Sequence, residues 1–180
     1  MKSKLFLTII LLFSLQIVTS QIFKVGIKGG LNYANLIDTS IKTDAITSYH
    51  AGFVSVIRLS KSLALQPELL YSTQGASYEN AISEFKNELG YLSIPFLAKL
   101  NLSESVSLEI GPQASFLLSK KDEFDLNDYN TFDFAVDGGL GLQLTEHLFI
   151  QARYILGLNE ISKNAEAKNS VFQLSAGILF

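Results

Sequence analysis

Few residues in this chain could do chemistry, and they are widely spaced. Lys28, Glu68, Glu109, Asp137 and Arg153 lie far apart along the chain, within stretches of mostly apolar and small residues. Three carboxylates and two cations could serve an ion path or a proton-linked site. They could also neutralise one another, because a charge taken out of water must be paired. The structural reading is the stronger. Arg153 is its expected centre, since a guanidinium fork can hold two carboxylates at once.

The chain has two histidines, His50 and His147. Ser48, His50 and a loop acid such as Asp44 would supply a nucleophile, a base and an orienting carboxylate. No motif fixes their mutual geometry, which is the test such a site must pass. His50 is therefore expected to be an ordinary hydrogen-bonded polar residue, and no residue is assigned as catalytic. The run Lys120-Lys121-Asp122-Glu123-Phe124-Asp125-Leu126-Asn127-Asp128 is rich in acids. A calcium-binding EF-hand loop needs a ligand at its third position and glycine at its sixth. Counted from Asp122 these are Phe124 and Asn127, so no metal site is expected, and no cofactor. The absence of cysteine excludes disulfides, thiolate metal sites and lipid attachment through a thiol.

The chain begins with a segment that reads as an address. Lys2 and Lys4 precede an apolar run from Leu5 to Val18, followed by Val18-Thr19-Ser20. A run of about 14 residues is shorter than the roughly 20 that span hydrocarbon as a helix. Residues 1–20 are therefore expected to be a cleaved signal peptide and 21–180 the working domain. Without the two leader lysines, 12 basic residues face 17 acidic ones, a net charge of about −5. Nothing here suggests nucleic acid. Charged residues make up 17 % of the chain, against about 25 % in soluble domains, so the chain is short of surface suited to water.

After Gln21 the pattern is alternation with period two, in eight segments. These are Ile22–Ala34, Tyr49–Leu59, Leu63–Thr73, Tyr91–Asn101, Ser105–Ser119, Thr131–Leu144, Leu148–Leu158 and a last one ending at Phe180. In the third, Leu63, Leu65, Leu69 and Tyr71 oppose Ala64, Gln66, Glu68 and Ser72. Tight turns are expected near Ser60-Lys61, Leu102-Ser103-Glu104 and Thr145-Glu146-His147. Longer connections are expected at 35–48, 74–90, 120–130 and 159–169, with a short helix conceivable over Asn80 to Leu89. Short turns on one side and long loops on the other are the habit of outer-membrane barrels. Each segment reaches the about 9 to 11 residues that a tilted strand needs to cross hydrocarbon, and strands can cross only as a closed barrel. The expected fold is all-β, an eight-stranded antiparallel up-and-down transmembrane β-barrel. Pro67, Pro95 and Pro112 lie inside strands, where bulges are expected. Tyr33, Tyr49, Tyr71, Tyr91, Phe132, Tyr154 and Phe180 are candidates for interfacial girdles.

A soluble barrel of the lipocalin kind would show the same periodicity. The polar face is mostly Gly, Ala, Ser, Gln and Asn, too sparse in charge for a soluble exterior. It is therefore assigned to the lumen, together with the five charged residues. Eight strands leave little room for a pore.

The chain resembles the PorT-like outer-membrane β-barrel family common in Bacteroidetes. The resemblance is carried by Gly26-Ile27-Lys28-Gly29-Gly30-Leu31-Asn32, His50-Ala51-Gly52-Phe53 and Leu65-Gln66-Pro67-Glu68-Leu69-Leu70-Tyr71-Ser72. It continues through Gln74-Gly75-Ala76, Tyr91-Leu92-Ser93-Ile94-Pro95, Gly138-Gly139-Leu140-Gly141 and Arg153-Tyr154-Ile155-Leu156-Gly157-Leu158-Asn159. The terminal Phe180 resembles the signal read by the barrel assembly machinery. The resemblance implies export to the bacterial outer membrane and tolerance of prolines in strands. The expected partners are membrane lipid and lipopolysaccharide, the assembly machinery, and possible secretion-complex proteins. The expected role is non-enzymatic, structural or mediated by the loops. The alternative is an accessory component of a secretion or gliding complex. A rim-site barrel enzyme and a small-solute pore rank lower.

Overall fold

The computed structural model describes residues 22–38, 43–80, 83–122, 130–160 and 167–180. The leader assigned to residues 1–20 and the acid-rich run over 123–128 lie outside them. Eight strands follow in order: β1 Phe23–Ile37, β2 Asp44–Arg58, β3 Leu63–Asn80, β4 Ser83–Asn101, β5 Val106–Asp122, β6 Phe132–Gln143, β7 Leu148–Gly157 and β8 Lys168–Leu179. Each pairs antiparallel with the next, and β8 closes on β1.

Closure fixes the stagger. Following paired residues round the wall leads from Phe23 to Ile57, Leu65, Ala98, Ile110, Gly138, Tyr154 and Phe172, and returns to β1 at Tyr33, ten residues on. With eight strands and standard sheet spacings, that shear tilts the strands about 40° from the barrel axis.

The alternation sets the two faces. Outward positions carry exposed apolar side chains such as Leu31, Phe53 (66 % exposed), Ile94, Leu140 and Leu174. Inward positions are buried and mostly polar. A belt of exposed leucine, isoleucine and phenylalanine round a closed wall is suited to lipid, where no backbone group is left without a partner.

The three short turns share one design. Their sequences are Leu59-Ser60-Lys61-Ser62-Leu63, Leu102-Ser103-Glu104-Ser105-Val106 and Leu144-Thr145-Glu146-His147-Leu148. In the first, the N–H groups of Leu59 and Ser60 both donate to the carbonyl of Leu63, at 2.9 Å each. Ser60 Oγ accepts the N–H groups of Ser62 and Leu63 at 3.3 and 3.1 Å. Ser103 and Thr145 repeat both features in the other two turns. A hydroxyl that takes up two turn N–H groups offers the backbone a local alternative to the ladder.

Four expectations need correction. The 35–48 connection is shorter, because β1 runs to Ile37 and β2 begins at Asp44. The 74–90 connection, with its conceivable helix, is instead a continuation of β3 and β4, paired as far as Asn80 with Ser83. Residues 72–77 are all buried rather than alternating, so a reading of period two stops short of the ladder's end. The prolines make no bulge. Register is identical on both sides of each one, and the register shifts occur between Ala45 and His50 and between Gly90 and Tyr91. The ladder skips where each proline faces its neighbour: Pro67 towards β2, Pro95 towards β3, Pro112 towards β4. In an antiparallel strand a residue's N–H and C=O point to the same neighbour, so a missing N–H weakens one side only. At Pro67 the gap is partly bridged, because Ser55 Oγ donates to the Pro67 carbonyl at 3.1 Å. Finally, Tyr91 does not join an outer girdle. It faces inward, 1 % exposed, beside Leu89, as its parity with Ser93 requires. Tyr33, Tyr49, Phe132, Tyr154 and Phe180 do lie outward and exposed.

Candidate functional site

The lumen is layered, and charge occupies its middle. Arg153 from β7 forks onto Glu68 of β3, with Nη1 to Oε2 at 3.0 Å and Nη2 to Oε1 at 2.8 Å. The same Nη2 reaches Glu109 Oε2 of β5 at 3.2 Å. Asp137 of β6 lies 3.6 Å from Nη1 as an ion pair, and neither of its oxygens accepts a hydrogen bond among the described residues. Lys28 of β1 meets Glu68 Oε2 at 2.9 Å. The five charged residues singled out above thus converge from five strands, all almost wholly buried.

Other side chains join them. Gln151 donates to both oxygens of Glu109, at 2.8 and 3.0 Å, and its own Oε1 accepts from Lys28 at 3.1 Å. Gln66 donates to Glu68 at 2.8 Å. Lys99 of β4 stands 3.5 Å from Glu109. With Lys99 included, three cations face three carboxylates. A signal for these partners was present, since each has the inward parity of its strand. Which of them meet depends on register between strands, which parity does not specify.

Room for the cluster comes from β6. Gly139 pairs with Arg153, and a Cβ there would stand 2.5 Å from the Ala152 carbonyl oxygen. A Cβ on Gly141 would stand 2.8 Å from Glu109 Oε1. Side chains at these two places would press the strands apart or displace the carboxylate.

Towards the long connections lies a hydrogen-bonded layer centred on His50, which is 1 % exposed. Its Nδ1 is 2.9 Å from Asn32 Oδ1 and its Nε2 is 2.8 Å from Ser175 Oγ. A neutral ring that donates through Nδ1 and accepts the serine hydroxyl satisfies both. Gln173 donates to the same Asn32 oxygen at 3.1 Å. Asn32 in turn donates to Ser72 Oγ at 3.0 Å and to the Thr73 carbonyl at 2.8 Å. Ser48 donates to the Thr73 carbonyl at 2.6 Å rather than to His50, and Asp44 begins β2 in an exposed position. The Ser48–His50–Asp44 set is therefore not assembled. His147 sits in the β6–β7 turn, with Nδ1 2.8 Å from the Leu179 carbonyl oxygen.

Small apolar clusters flank the polar layers on both sides. Ala34, Ile46, Ala135, Ile155 and Val171 pack together towards the long connections. Val54, Phe149 and Leu179 pack together towards the short turns. An eight-stranded barrel has an interior just wide enough for such side chains. The arrangement can hold charge in a water-poor place; it offers no exposed nucleophile or base in the layers described.

The family model for the outer membrane protein beta-barrel domain matches residues 19–163. A search of curated proteins finds no match. Among solved structures, Ail, the attachment invasion locus protein of Yersinia pestis, is 14 % identical, with a TM-score of 0.58, covering 87 % of this chain and 98 % of that one. Neisserial surface protein A is 12 % identical, with a TM-score of 0.57, covering 88 % and 97 %. The outer membrane protein OprG from Pseudomonas aeruginosa is 10 % identical, with a TM-score of 0.53, covering 87 % and 95 %. At these identities the likeness is one of fold. The matched family and the lipid-suited exterior point to the bacterial outer membrane, and the chain belongs to the family of the outer membrane protein β-barrel domain.

Proposed function

We propose that this protein is a non-enzymatic outer-membrane barrel with a closed lumen, which acts through the surface presented by its long connections. One observation carries the reading: a buried charge cluster, in which Arg153 and Lys28 pair with Glu68, and Arg153 also with Glu109 and, at a longer distance, with Asp137, occupies the interior. A planar bilayer holding the purified protein is expected to show no conductance. Stable single-channel steps would overturn the closed-lumen reading. Deleting residues 123–129 is expected to leave barrel assembly intact. His50, the strongest candidate base, is turned into the lumen against Asn32 and Ser175, which argues against a rim-site enzyme.

The membrane partners follow from the exterior. The apolar belt suits acyl chains, and lipopolysaccharide would meet the long-connection end. The outward Phe180, 68 % exposed, suits recognition by the barrel assembly machinery. A second reading, an accessory of a secretion or gliding complex, is supported by the PorT-like motifs quoted above. Co-purification with such a complex would favour it, and intact secretion in a null mutant would sink it.

A further inference from the structure

The short-turn mouth differs from the plug above it. Lys24 on β1, Arg58 on β2 and Lys99 on β4 have the inward parity of their strands, and Lys61 stands in the β2–β3 turn. All four line a cavity of about 630 Å³. Register explains how they converge. Arg58 pairs with Ala64 and Ala64 with Lys99, so two long cationic side chains flank a single methyl group. The rest of the wall includes Asn101, Ser103, Ser105, Gln143 and Thr145, all hydroxyl or amide side chains.

These cations are weakly engaged. Lys24 donates to the backbone carbonyl of Glu146 at 3.1 Å. Lys99 holds only long contacts, 3.5 Å to Glu109 and 3.4 Å to Gln66 Oε1. The side chains of Arg58 and Lys61 have no hydrogen bond or ion pair among the described residues, and neither do the carboxylates of the lining Glu104 and Glu146. With Lys99 shared with Glu109 of the plug, Lys24, Arg58 and Lys61 against Glu104 and Glu146 leave this bowl about one charge positive, in a chain whose net charge is −3. A concave wall with an excess of one sign focuses its field on the space it encloses.

We propose that the short-turn mouth is a binding vestibule for a phosphate-bearing anion entering from the periplasm. A guanidinium fork, three ammonium groups and several hydroxyls supply donors from more than one side. That exceeds what a single carboxylate can accept and matches the tetrahedral oxygens and double charge of a phosphate group. The phosphate could belong to a soluble ester or to a phospholipid headgroup of the adjoining leaflet. The periplasmic direction rests on the barrel standing with its short turns inward; the binding itself does not depend on it.

The test is a titration of the isotope-labelled, refolded protein with pyrophosphate at constant ionic strength, in zwitterionic micelles. Saturable shifts are expected at the backbone amides of Arg58, Lys61, Lys99, Ser103 and Thr145, with the long-connection end unmoved. The combined variant Lys24→Gln, Arg58→Gln, Lys61→Gln should weaken binding at least tenfold. The opposite variant, Glu104→Gln with Glu146→Gln, should tighten it severalfold. Heat-modifiable gel migration verifies that each variant is folded. Shifts that never saturate, or that persist with equal affinity in the triple variant, would overturn the proposal. In a second arm, nanodiscs of phosphatidylglycerol replace the micelles. The same amide shifts without pyrophosphate identify the headgroup as the source. Shifts that appear only on adding pyrophosphate identify a soluble anion.

Discussion

Arg153 touches three of the lumen's carboxylates and therefore controls whether they remain compensated. Removing one partner of a buried ion pair leaves the other charge stranded, at a cost of about 3–5 kcal/mol. Arg153→Met is expected to lose stability on that scale in urea unfolding of the refolded protein. Adding Glu68→Gln to it should cost less than the two single changes summed, because both act on one network. A small-residue test separates two kinds of crowding. At Gly139 an added methyl would meet the backbone of β7, so Gly139→Ala should cost about 1–3 kcal/mol. At Gly141 the nearest atoms are the ends of the Ser107 and Glu109 side chains, which can move, so Gly141→Ala should cost less in the same unfolding experiment. At this scale the sequence was informative about which residues turn inward. It was silent on partners: Gln151 lies 42 positions from Glu109 and Gln66 43, and neighbour identity depends on how strands slide past one another.

The short turns and the prolines show how individual elements keep that register. Each turn carries Ser or Thr at the same place, and its hydroxyl accepts two backbone N–H groups. Ser60→Ala, Ser103→Ala and Thr145→Ala are each expected to cost about 0.5–1.5 kcal/mol, with nearly additive effects because the turns share no partner. Equilibrium unfolding of the three single variants and their combination checks this. The turns could be placed from sequence, and their repeated Leu-Ser/Thr opening was legible there too. The extension of β3 and β4 was not. Gln74, Gly75 and Ser77 are common in loops, yet pairing with β4 carries all three, and β2 holds Ser77 from the other side. The prolines were expected to bend the wall. A closed barrel instead tolerates a skipped rung at each one, since the bonds to the other neighbour keep the register.

For the whole molecule, the inside and outside of the wall obey opposite rules. A cation on the outer belt would face hydrocarbon. Phe53→Arg, at an exposed mid-strand position of β2, should destabilise the barrel by about 2–4 kcal/mol near the bilayer midplane, measured by unfolding from lipid vesicles. Arg153, only 1 % exposed on the other side of the same wall, is tolerated because three carboxylates surround it. Sequence alone determined the eight-strand alternation, the short turns and the residues that face inward, because a period of two is a local property of the chain. Only the tertiary structure decided that Arg153 meets Glu68, Glu109 and Asp137, that His50 meets Asn32 and Ser175, and that four cations gather at one mouth. Those meetings follow from the ten-residue stagger at closure, which is set jointly by all eight pairings and is written in no single segment.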